Sequence, residues 1–272
     1  MTYLDPTFRG PGLVIRASMM LLALLAALAV TYVLAPSYDF VYWATLLLPI
    51  PCVLMLALSL RFWQQGRDRA RPAAFVLGCL FIAGGLTFDL WATVRHSPDL
   101  AREGNPLARG LLDHGMPLEF VYYYGFGLQA VLALVLCTLW GAFLRHRRVW
   151  LETSIQIAPQ SFLDFLKATT GGGAISWREY ILFPSPPESR LSAYHMGVFI
   201  LPPGLIACGL HRWYVGLEWF GLVPYIRPTL SGSLALAAGF ALSLIGLYVW
   251  YRRNAPAQTA TDLASHTPGS AV

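Results

Sequence analysis

The sequence predicts an all-α, polytopic integral membrane protein with six transmembrane helices, and three observations carry that expectation. Mean hydropathy is +0.55, and only 12% of the residues are charged. A soluble chain of this length needs far more polar surface. Apolar runs near 13–35, 41–63, 74–94, 118–144, 193–211 and 229–251 reach the roughly 20 residues that cross about 30 Å of hydrocarbon. Arginines mark alternate connections, as the retention of positive charge in the cytoplasm requires.

The first run is too long for a signal-peptide core and has Asp5 and Pro6 in its lead-in, so it is expected to stay as a span. It and the second run are joined by the outer turn PSYDF and read as scaffold. The connection after the second run holds Arg61, Arg67, Arg69 and Arg71. The one after the fourth opens Arg145-His146-Arg147-Arg148, and the last run ends at Arg252-Arg253. Six alternating helices place all three groups, and both termini, in the cytoplasm of a bacterial inner membrane. The net charge of +5 then serves topology, and no nucleic-acid partner follows from it. A single membrane domain over 1–254 is expected, followed by a disordered cytoplasmic tail over 255–272, which lacks apolar periodicity.

The fourth connection, 149–192, is too long for a turn. Pro159, the apolar Phe162, Leu163, Phe165 and Leu166, and the stop at Gly171-Gly172-Gly173 predict a short amphipathic helix in the cytoplasmic interface. The glycine triplet lacks the Gly-Lys-Ser/Thr ending of a phosphate loop. Cys52, Cys79, Cys137 and Cys208 fall in four different runs and read as packing residues rather than disulfide or zinc partners.

The chemistry concentrates in TFDLWATVRHSPDLAREGNPL, residues 87–107. Asp89 lies about two turns, or about 10 Å, inside the outer end of the third run. A carboxylate at that depth costs several kcal/mol unless it is paired, hydrated or neutralised. Asp89, Thr93 and His96 are spaced i, i+4, i+7 and share a helix face. Pro98 stops that helix, and Glu103-Gly104-Asn105-Pro106 reads as a compact turn folded back over its end. Asp113, His114 and Glu119 are expected to approach from the fourth run. His211, Arg212 and Glu218 lie at the outer end of the fifth among belt aromatics, while His195 faces the opposite side.

Asp89-x-x-x-Thr93 followed by Glu103-x-Asn105-Pro106 resembles the pattern of a family of small prokaryotic membrane proteins described as a domain of unknown function. The resemblance covers about residues 74–144 and implies a helical membrane fold with a shared polar site, without an activity. The long connection and the last two runs depart from that family's compact size.

Two functions remain open. In one, Asp89, Thr93, Glu103 and Asn105 are catalytic, or Asp89, His96, Glu103 and His114 hold a divalent metal that activates water toward a lipid-linked or periplasmic substrate. No HExxH motif accompanies them. In the other, favoured because no nucleophile stands beside a base at a recognisable spacing, the chain is a non-enzymatic partner or transport-type subunit. Its partners are the lipid bilayer and a membrane or cytoplasmic protein. Asp89 is then an ion or proton contact, or a brace between helices.

Overall fold

A computed structural model describes residues 45–66, 71–102, 105–154, 161–163, 165 and 201–254. Its helices are α1 (Pro49–Gln65), α2 (Pro72–His96), α3 (Pro106–Asp113), α4 (Leu118–Ser154), α5 (Leu201–Trp219) and α6 (Pro228–Asn254). The described residues contain no strand. Among the described residues, four stretches are long and apolar enough to cross a membrane: Thr45–Gln64, Pro72–His96, Leu118–Arg147 and Pro228–Arg253. The first expected span, 13–35, and the tail over 255–272 lie outside the described residues.

Proline placement explains several helix starts. Pro72 and Pro106 occupy the first turns of α2 and α3, where a missing N–H costs nothing. Arg71 and Asn105 before them are extended, as residues preceding proline prefer. α2 ends where the Ser97 N–H bonds the Thr93 carbonyl at 2.8 Å, just ahead of Pro98.

Three expectations change. Between the third and fourth runs, the helix α3 (Pro106–Asp113) follows the turn expected over 103–106, an element the sequence reading did not include. The Asn105 carboxamide accepts from the Leu107 N–H at 3.0 Å, a side-chain cap, and Leu111 buries its apolar face. α4 continues to Ser154 instead of ending near 144, because the arginine run closes the apolar stretch without supplying a helix breaker. α5 runs to Trp219 rather than 211, so His211 and Arg212 lie inside a helix. α5 is not among the four apolar helices.

α5 sits between α2 and α6, and α1 packs on α4. Parallel α2 and α5 interlock through small residues: a Cβ on Gly209 would overlap the Phe81 ring, and one on Gly216 the Phe88 ring. Trp213 lies against Gly85 and donates its indole N–H to the Phe81 carbonyl at 2.9 Å. Such close approach through glycine is how helices associate where the solvent is hydrocarbon and apolar side chains gain nothing by meeting. Leu54, Leu77, Leu80 and Leu242 point outward and are each more than half exposed, the reverse of a water-soluble bundle.

Of the expected interfacial helix, only Ser161, Phe162, Leu163 and Phe165 fall among the described residues. Phe165 is 0% exposed, packed against Tyr248 and Tyr251 of α6. A lipid-facing Phe165 is therefore corrected: the ring closes the core at the Arg145 end of the bundle.

Candidate functional site

The site begins with the carboxylate that the sequence left unmatched. The register set by Phe81 on Gly209 and Phe88 on Gly216 carries Arg212 of α5 alongside Asp89 of α2. Arg212 Nη1 donates to Asp89 Oδ2 at 2.6 Å, a charge-assisted bond at the short end of its class. Asp89 is 6% exposed, while the Arg212 side chain keeps 35% exposure. The ion therefore has a counter-ion from a neighbouring helix, which offsets part of the cost of burying it. His211 Nε2 lies 3.3 Å from Ser231 Oγ and ties α5 to α6.

The pair lines a cavity of about 790 Å³ enclosed by α2, α4, α5 and the start of α6. Asp89 and Thr93 form one wall, as their shared helix face predicts. Gln129 reaches in from α4, and its Oε1 is buried with no hydrogen-bond partner among the described residues. Arg102, Asn105 and Tyr225, all exposed, stand at the mouth. Val94, Leu100, Val121, Leu128, Val215 and Ile226 make the remaining wall largely apolar.

The turn after α2 is tightly built. Ser97 Oγ accepts from the Arg102 N–H at 3.0 Å. The Asp99 carboxylate accepts from the Ala101 N–H at 3.0 Å, and that bond holds its pKa below the ordinary value. Leu100 takes a left-handed conformation, φ 55, uncommon for a side chain of this shape. It is held there by its N–H to the Ser97 carbonyl at 2.9 Å, and Tyr122 of α4 bonds the Pro98 carbonyl.

The other candidates are distributed differently. His96 leaves the cavity face and packs edge-on against Phe220, centroids 4.6 Å apart. His114 closes α3, its Nδ1 2.8 Å from the Gly110 carbonyl. Neither ring lines the cavity, nor do Asp113 and Glu119. Asn105 lines it while serving as the α3 cap. Glu103 lies outside the described residues, and with it the expected approach of its carboxyl to Asp89. Among the described residues no three His, Cys, Asp or Glu side chains group as metal ligands do.

Sequence reasoning placed Arg212 near the cluster without pairing it to Asp89, and it passed over Gln129, Ser231 and Tyr225. A glutamine within the apolar run 118–144 was the available signal.

These features define a class: a helical bundle with helices long and apolar enough to cross a membrane and an amphiphilic cavity, built around an ion pair, at one end. No family model, curated protein or solved structure matches the chain.

Proposed function

We propose that the chain is a multi-pass membrane protein of the bacterial inner membrane, with cytoplasmic termini, that binds a ligand in the outer-face cavity as a non-enzymatic binding or transport-type subunit. The observation that carries this reading is that the Asp89–Arg212 pair lines a cavity of about 790 Å³ instead of being sealed between helices. A pure brace needs no such space. The volume falls in the roughly 300–1,000 Å³ range of small-molecule sites, and a mostly apolar wall with a few placed polar groups is their usual make-up. The Gln129 side chain on the same wall adds a polar group to that make-up. The Asp-x-x-x-Thr and Glu-x-Asn-Pro resemblance is part of the same proposal, since Thr93 and Asn105 both reach the cavity.

Asp89→Asn with Arg212→Gln tests the reading, because the double variant removes both charges and strands neither. Native mass spectrometry of the full chain should show a co-purifying small molecule on the wild type and at least about tenfold less on the double variant, with thermal melting showing that the variant is folded. Equal ligand on both would sink the reading. A stoichiometric divalent metal, lost on Asp89→Asn, would move the assignment to a metal-dependent hydrolase or transferase.

A further inference from the structure

The charge on the cavity wall narrows the ligand class, and this step rests on the binding function just proposed. Asp89 and Arg212 cancel one another. The other ionisable acid and base on the described wall are Arg102, in the turn after α2, and Glu218, in the last turn of α5. They have opposite signs and come from different walls. A purely anionic ligand would meet Glu218, and a purely cationic one would meet Arg102; like-charge contact is unfavourable wherever water is partly excluded.

The surroundings of the two charges also differ in chemistry. Trp219 and Tyr225 line the cavity with Glu218. An acidic group among aromatic faces is the composition that receives an ammonium, through the ring quadrupole and the carboxylate together. Arg102 brings the planar donor fork that suits phosphate or carboxylate oxygens. Val94, Val121 and Leu128 of the same cavity add aliphatic surface, which gives no hydrogen bond and matches methylene groups.

We propose that the cavity takes a zwitterionic amphiphile, its anionic group toward Arg102, its ammonium toward Glu218 and the rings beside it, and its chain along the aliphatic wall. Zwitterions of this kind come from membrane lipid or from small solutes, so chain and head group are tested apart.

The full chain, purified in a maltoside detergent, is titrated by native mass spectrometry with four probes: dodecyl phosphoethanolamine, dodecyl phosphate, dodecylammonium and free phosphoethanolamine. The expected result is one equivalent of dodecyl phosphoethanolamine bound at least about tenfold more tightly than any of the other three. Glu218→Gln should bring dodecyl phosphate level with the zwitterion, and Arg102→Gln should do the same for dodecylammonium. Arg102 is exposed and Glu218 partly so, so neither change leaves a buried charge. Dodecyl phosphate binding as tightly as the zwitterion to the wild type, or variants that leave the order unchanged, would overturn the inference. Free phosphoethanolamine binding as tightly would overturn the chain and give the site to a soluble zwitterion. If co-purified ligand responds to the Asp89 and Arg212 double variant while the four probes show no preference, the zwitterion inference alone fails. If neither responds, the binding function fails with it.

Discussion

At the scale of the residue, the Asp89–Arg212 contact decides how the most costly side chain in α2 is tolerated. Removing one member of a buried pair leaves the other uncompensated, and that penalty exceeds the net worth of the pair. Arg212→Gln should therefore destabilise the protein by about 2–3 kcal/mol, below the roughly 3–5 kcal/mol of a fully enclosed pair, because the stranded Asp89 lines the cavity, where water or a proton can reach it. Adding Asp89→Asn should recover part of the loss, and a double-mutant cycle by thermal or denaturant unfolding should show clear non-additivity. Additive losses would mean that the two side chains do not meet. Asp89 and its depth could be read from residue types alone. Arg212 could not be chosen, because Arg95 and Arg102 are nearer in sequence and equally cationic.

At the scale of the element, the α2–α5 register follows from glycines rather than from the polar pair. Gly209 and Gly216 are seven apart on α5, as Phe81 and Phe88 are on α2, so each ring meets a position without a side chain. Gly209→Ala or Gly216→Ala should push the helices apart and cost about 1–3 kcal/mol, as overpacking does. Gly125→Ala, where nothing lies within 4 Å of the added carbon, should be neutral or slightly stabilising. Melting temperatures of the three variants check this, and equal behaviour would contradict the interlock. The 161–165 segment gives a second test at this scale. A spin label at Leu163, 66% exposed, should meet added quencher. One at Phe165 should be shielded from water-soluble and lipid-soluble quenchers alike. The amphipathic pattern identified Phe165 as apolar and misassigned its environment, since hydrocarbon and a protein core select the same residue types.

At the scale of the whole molecule, the helices alternate in direction, so Arg61, Arg71, Arg145, Arg147, Arg252 and Arg253 gather at the end opposite Asp89. Under the proposed topology that end is cytoplasmic. Reporter fusions after Arg71, Arg148 and Arg253 should report cytoplasm, and one after Arg109 the outer side. A cytoplasmic signal after Arg109 would reverse the assignment and place the cavity on the inner face.

The sequence by itself determined that the described residues are helical, where four long apolar helices lie, and that a carboxylate stands about two turns from a helix end. Those properties are local: run length, proline position and helical spacing are written residue by residue. Only the tertiary structure decided that Arg212 meets Asp89, that Gln129 and Glu218 share a cavity with them, that α3 caps that end, and that Phe165 is inside. In helices whose outer faces are as apolar as their inner ones, periodicity does not mark the face that packs. The choice falls to shape, here rings against glycines, and shape complementarity between segments more than a hundred residues apart exists only once the chain has folded.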